Sequence, residues 1–292
     1  MPDLPTAPFW ERNLIYRVLS GSRAYGLAQA DSDEDTRGVC IPPKEYLLGL
    51  HSFEQHEDET HNHTVFGLAK LVRLALEANP NIIETLYTDP RHVLFINAYG
   101  ERLIAVRDIF LSKRVAERFT GYAVDQLGRM ERHHRWLVDP PDHTPQPEAF
   151  GATDIGGRYR WPHTDAEQGY RAALRHWNQY QEWLRNRNPA RAALEARYGY
   201  DTKHALHLLR LLRMGEEILA DGTVRVFRPD ADWLLAVRHG ALTYEQVLAL
   251  AAEHRTRLDW LVAASPLPEA PDVRAANDLL IRLQEDYLFA RA

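Results

Sequence analysis

Up to about residue 100, apolar residues come in short runs; beyond it they recur every three or four positions. The run from Leu14 to Leu19 has the length of a buried strand, and Ser20-Gly21-Ser22 breaks it where a short helix can begin. A second strand is expected to carry Asp33 and Asp35, stopped by Pro42 and Pro43. Residues 66–78 predict a helix with Leu68, Leu71, Val72, Ala75 and Leu76 as its apolar stripe, closed by Asn79-Pro80. Asn81 is placed to cap the next short element. Residues 91–97 read equally as a late strand or a buried helical segment, because so short a run shows no decisive period. Helical spacing then covers 101–110, 112–136, 167–186, 201–220, 243–263 and 273–290. Residues 1–13 read as a Pro-rich lead-in, and 225–232 as an extended piece or turn. The layout is α+β: a mixed sheet with flanking helices over residues 1–111, an all-α domain over 112–292, and a cleft between them.

Chemistry enters at the first break. Side chains alternate faces along a strand, so Asp33 and Asp35 are expected to project together. Two like charges that close cost free energy unless a cation lies between them or one protonates. A hard divalent ion suits such oxygen ligands, and Mg2+ typically shares them with substrate phosphates. The Gly21-Ser22 turn opening a helix offers backbone N–H groups and a hydroxyl to a phosphate. Together these features describe a metal–triphosphate site. Further on, Lys203, His207 and Arg210 fall at i, i+4 and i+7 on a Leu-rich helix, with Asp201 as its N-cap. That stripe is either a solvated face or a means of neutralising a leaving pyrophosphate.

The wording Gly21-Ser-Arg-Ala-Tyr-Gly26 with Ser32-Asp-Glu-Asp-Thr-Arg-Gly38 resembles the DNA polymerase β superfamily of nucleotidyltransferases, and within it the RNA-ligase-associated, RNA repair pathway branch. Glu34 departs from the broad pattern, which has an apolar residue between the aspartates. Asn79-Pro-Asn-Ile-Ile-Glu84, Tyr200-Asp-Thr-Lys-His-Ala-Leu-His207 and the 225–232 segment resemble the same branch. The resemblance implies the polymerase-β-like fold and transfer of a nucleoside monophosphate from an NTP, such as ATP, to a hydroxyl on an RNA end. It implies two Mg2+ ions on Asp33 and Asp35, with Mn2+ as a substitute, and an RNA ligase as partner. It places Gly21, Ser22, Arg23, Lys203 and His204 at the nucleotide, and Glu84 in support of the site. A third carboxylate is expected on a following strand, Glu59 or Asp58, with Glu59 preferred. The same stretch, with His56, His61 and His63, also reads as a solvated loop or as a transition-metal site. Arg37 either contacts phosphate or pairs with a carboxylate. Alternatives to RNA modification are nucleotidylation of a protein or small molecule, and a catalytically silent RNA-binding protein.

Composition narrows the setting. Nothing in the 292 residues approaches the ~18 consecutive apolar residues of a membrane span. A single cysteine, Cys40, excludes an internal disulfide, and with no secretory pattern at the start a cytoplasmic location is expected. Net charge is −6, yet residues 171–213 hold nine Lys or Arg against three acids, a local +6 suited to a basic groove. Between Leu137 and Thr164 a long Pro- and Gly-bearing segment carries Arg158, Tyr159, Arg160 and Trp161. It reads as a mobile insertion, or as rings and cations that contact a nucleic acid.

Overall fold

The computed structural model describes residues 7–30 and 32–290. Residues 1–6 of the expected lead-in lie outside these. Five strands make the main sheet: β1 (Leu14–Leu19), β2 (Thr36–Cys40), β3 (Gln55–Glu57), β4 (His63–Gly67) and β5 (Val93–Ile96). Their order is β3-β4-β2-β1-β5; β2 and β4 run parallel and the other pairs antiparallel, so the sheet is mixed. Ile15, Tyr16 and Val18 of β1 are buried, as befits a strand hydrogen-bonded on both sides. The ambiguous 91–97 segment resolves as the edge strand β5, with Leu94, Phe95 and Ile96 exposed.

Short helices accompany the sheet: α1 (Phe9–Arg12), α2 (Gly21–Tyr25), α3 (Lys44–Leu47), α4 (Leu68–Leu76), α5 (Pro80–Leu86) and α6 (Ala98–Ala105). Further helices, most of them longer, follow: α7 (Arg114–Val138), α8 (Thr164–Asn186), α9 (Pro189–Tyr198), α10 (Thr202–Asp221), α11 (Ala231–Arg238), α12 (Tyr244–Ala264) and α13 (Val273–Phe289). This is the expected α+β architecture with a helical C-terminal part, which departs from the all-α expectation only by a small two-stranded hairpin. At the centre of that part α10 packs against α7, α11 and α12. Fourteen of its twenty residues are buried, so its polar stripe is not a solvated face. One apolar core runs without interruption from Ile15 and Val39 in the sheet through Leu212 in α10 to Leu283 in α13. Among the described residues, no helix is long and apolar enough to cross a membrane.

Several boundaries differ from the sequence pattern for physical reasons. β2 begins at Thr36, so the two aspartates precede the strand instead of riding on it. Pairing with β4 starts there, Thr36 opposite His63, while Thr36 N–H donates to the Asn62 carbonyl. Residues 66 and 67 belong to β4, because Phe66 pairs with Val39; α4 therefore starts at Leu68. Asn79, not Asn81, caps α5: its side chain accepts from Asn81 N–H, and Pro80 takes the first-turn place where a missing donor costs nothing. The 137–164 segment holds a 3-10 turn (Pro147–Phe150) and a hairpin of β6 (Thr153–Asp154) with β7 (Tyr159–Arg160). Helices α9 and α11 were not legible from the spacing.

Candidate active site

Gly21 opens α2 with φ +62°, in the left-handed region, and a Cβ there would overlap the Asp35 carboxylate. The glycine thus lets Asp35 lie directly against the turn. Ser20 N–H donates to the Asp35 carbonyl at 2.8 Å and fixes the approach. Arg23 closes the other side of the loop, donating from Nη2 to the Ser32 carbonyl at 3.2 Å and from Nε to the Asp33 carbonyl at 3.4 Å. Asp33 is exposed and Asp35 half-buried. Both line a cavity of about 310 Å3 with Gly21, Ser22 and Tyr25. Its remaining wall comes from the helical part: Arg191 of α9, Lys203 and His207 of α10, and Arg238 of α11.

Burial, then the neighbouring Asp33, pushes the Asp35 carboxyl above the ordinary carboxylate range; Arg37, Lys203 and His63 pull the other way. Burial and the nearby Arg191 and Arg238 hold the Lys203 ammonium below its usual value, against Asp201 and Asp35. His207 lies well below the usual imidazole value, through burial and the surrounding Arg210, Lys203, His204 and Arg191. The cavity therefore has an acid wall short of positive charge and a cationic wall short of negative charge. Carboxylate oxygens form a hard donor set that fits Mg2+, and a dication would relieve the cost of ionising Asp35 beside Asp33. The opposite wall fits a phosphate chain.

Two buried clusters support this arrangement. Tyr25 Oη donates to Glu84 Oε2 at 2.5 Å, and Arg210 donates to Glu84 Oε1 while its guanidinium lies 3.9 Å over the Tyr25 ring. Glu84 thus supports the site from behind and joins α2, α5 and α10. At the start of α10, Asp201 accepts from Lys203 and His204 N–H groups, as an N-cap. His133, Asp201 and His204 bring ligand-type atoms within 4.8 Å of one another, a group able to hold a metal ion. The carboxylates there are already paired with arginines, Arg191 on Asp201 at 3.4 Å and Arg187 on Glu195 at 2.5 Å. The chain itself compensates this cluster, which makes it the weaker metal candidate.

Of the expected site residues, the structure brings together Gly21, Ser22, Asp33, Asp35 and Lys203. Three others do not line the cavity. Arg23 fastens the 32–33 backbone; His204 Nδ1 bonds Gln126 Oε1 at 2.8 Å; Glu59 lies in the exposed turn between β3 and β4. The strand position opposite Thr36, one residue after Asp35, is taken by His63, whose Nδ1 bonds Thr36 Oγ1 at 2.9 Å. Asp58 is occupied locally, accepting from His63 N–H at 2.8 Å. The three histidines of this stretch go to separate partners: His56 stacks on Trp10, His61 pairs with Glu57, and His63 binds Thr36. They form no common metal site. Of the nine cations in the basic segment, Arg191 and Lys203 reach the cavity, while Arg187, Arg210 and Arg213 are each committed to an acid. The residues missed by sequence are Asn188, Arg191 and Arg238, on the two unread helices. Asn188-Pro189, an N-cap followed by a first-turn proline, was the available signal for α9.

The RNA repair pathway DNA polymerase beta family, RlaP, matches residues 8–282. A Bacillus subtilis (strain 168) protein named only as uncharacterized protein YcgL is 36% identical over 83 residues, 26% of this chain and 31% of that protein. The match thus spans under a third of that relative's length. No solved structure matches the chain.

Proposed function

The chain belongs to the RNA repair pathway DNA polymerase beta family, and from that premise we propose that it moves a nucleoside monophosphate from an NTP to a hydroxyl on an RNA end. The observation that carries this reading is the two-sided cavity, with Asp33 and Asp35 on one wall and Lys203, Arg191 and Arg238 on the other. Residues 1–111 serve as the catalytic unit and 112–292 as the helical unit that closes over the nucleotide. An RNA ligase is the partner this reading implies.

Asp33 and Asp35 would hold the metal, two Mg2+ ions or Mn2+ in their place, which would supply Lewis-acid neutralisation of charge at the reacting phosphate. Gly21 and Ser22 offer backbone N–H groups and a hydroxyl to the phosphate chain. The acceptor hydroxyl oxygen attacks the α-phosphorus and gives up its proton to solvent, the bond to the oxygen bridging the α- and β-phosphates breaks, and pyrophosphate departs toward Lys203, Arg191 and Arg238. These cations are fixed before reaction and face the charge that develops on the leaving group. Glu84 and Arg210 hold Tyr25 and α10 in register, so the two walls keep their separation. Glu59 has no part in this site.

The test is labelling of total RNA by each radiolabelled NTP with Mg2+. Wild type transfers label, and folded Asp33→Asn and Asp35→Asn variants transfer none. Undiminished labelling by both variants would overturn the proposal.

A further inference from the structure

Beside the catalytic cavity lies a second, also of about 310 Å3, walled by Trp183 and Asn186 at the end of α8, by Arg187 and by His133 of α7. The two cavities share Asn188, Arg191 and Lys203, so they are halves of one groove. The wall they do not share combines the Trp183 and His133 rings with Asn186, Arg187 and two carboxylates, Glu195 and Asp201, which are paired with Arg187 and Arg191. Trp183 packs 5.3 Å from Trp136 and 5.5 Å from His133, ring centre to ring centre, and the Arg187 guanidinium lies 4.4 Å over its ring. Arg187 is held in that plane by two bonds to Glu195 Oε2, from Nε at 2.8 Å and Nη2 at 2.5 Å.

This cluster is not core. Of the 23 residues of α8 only Ala166 is fully buried, and Trp183 is half-buried at the rim of the groove. A rigid stack of indole and guanidinium, edged by two asparagine amides, is the surface on which a nucleobase packs: bases stack on aromatic and arginine planes, and amides answer their polar edges. Phosphates of the same nucleotide would then reach Arg191 and Lys203, where the two cavities meet.

The geometry points to this second cavity as a nucleobase pocket, in which the base packs against Trp183 and Arg187 while its phosphate contacts Arg191 and Lys203. The inference rests on the nucleotidyl-transfer reading, and it leaves two sources for the same chemistry: the incoming NTP, or the terminal nucleotide of an RNA acceptor. The experiment separates them.

Binding of three probes is measured by calorimetry with Mg2+: ATP, a six-nucleotide single-stranded RNA, and tripolyphosphate, which has no base. Trp183→Ala is expected to weaken ATP or the RNA by about ten-fold or more, within the range found for base–aromatic stacking. Tripolyphosphate binding is expected to stay within two-fold (about a third of a ten-fold effect on a log scale), and Trp183→Phe to restore most of the loss. A loss confined to ATP assigns the pocket to the incoming nucleotide, and a loss confined to RNA assigns it to the acceptor. Trp177→Ala, on the same helix but outside the groove, controls for general effects. On the unaltered protein, photo-crosslinking with 8-azido-ATP and with 4-thiouridine-tipped RNA is expected to label residues 183–191. Wild-type affinity of Trp183→Ala for both ATP and RNA, or crosslinks that avoid this segment with both probes, would overturn the inference. Failure of wild type to bind tripolyphosphate counts instead against the catalytic cavity, whichever way the Trp183 comparison falls.

Discussion

Glu84 and Arg210 form an ion pair whose side chains are 7% and 6% exposed, and it ties the sheet half to α10. Glu84→Gln keeps the shape and still accepts from Tyr25 Oη, but it leaves the Arg210 charge buried with no counter-charge. Breaking a buried pair from one side costs about 3–5 kcal/mol, because the remaining ion has lost its solvent and its partner together. Arg210→Met is expected to cost a similar amount, because it leaves the Glu84 carboxylate buried without its cation. Replacing both removes both charges, and exchanging a buried pair for neutral groups of similar volume is close to free. The double variant Glu84→Gln/Arg210→Met should therefore lie within about 1 kcal/mol of wild type, far from the sum of the singles, with a coupling of several kcal/mol. Urea unfolding followed by circular dichroism gives the four stabilities of the cycle, provided the slopes agree. A single-variant loss below about 1 kcal/mol, or additive losses in the double, would refute the claim that charge compensation holds these elements together.

Gly21→Ala forces an L-residue to φ +62° and drives a methyl into the Asp35 carboxylate. The left-handed strain alone is about 1–2 kcal/mol, so a lowered Tm with RNA labelling abolished is expected, and a variant with unchanged Tm and labelling would show that the turn has room to spare. The histidines of α10 set an acid limit. Burial holds His204 down to about 4, and burial with the neighbouring Arg210, Lys203 and Arg191 holds His207 well below its usual value. The unfolded chain accepts protons near pH 6.5, so the stability these neutral rings contribute is complete above that pH and is lost as pH falls below it. For His204 the interval from 6.5 to 4 corresponds to about 3 kcal/mol, opposed in part by His133, whose value is raised. Urea midpoints should fall from pH 7 to pH 5, and fall less in His207→Gln; parallel profiles for the two proteins would contradict the assignment.

What the sequence revealed of the site follows the range of its signals. Gly21-Ser22 and Asp33-x-Asp35 were legible because strand, turn and carboxylate pair are local to some twenty residues. The strand expected to carry the aspartates starts after them, since its start is set by pairing with β4, some twenty-seven residues away in sequence. The cationic stripe on α10 was visible as spacing. Its burial was not, because that depends on α7 and α12 covering a helix from both sides. Arg191 was legible only as one charge of the basic segment and Arg238 not at all, for a related reason: α9 and α11 are short, and only two residues in α11, Leu234 and Val237, are fully buried. The pattern of burial that marks a helix in sequence is weakest where the helix exists to present a side chain to a cavity.

That contrast explains how one helix can serve both halves. An exposed helix could offer Lys203 to a phosphate but would let it wander by a rotamer's width. In α10 the N-cap Asp201 fixes the first turn, Arg210 locks the third to Glu84, and Arg213 pairs with Asp230, just ahead of α11, at 2.7 Å. Lys203 and His207 lie between these anchors, on the one stretch of the helix left open to the cavity. A cation held at both ends in this way is organised before any anion arrives, and such pre-organisation is what makes electrostatic stabilisation effective at a leaving group. The binding of Arg210 and Arg213 to acids elsewhere leaves an acidic protein with a cationic wall built from Lys203, Arg238 and Arg191, the last reaching the cavity from its 3.4 Å pair with Asp201.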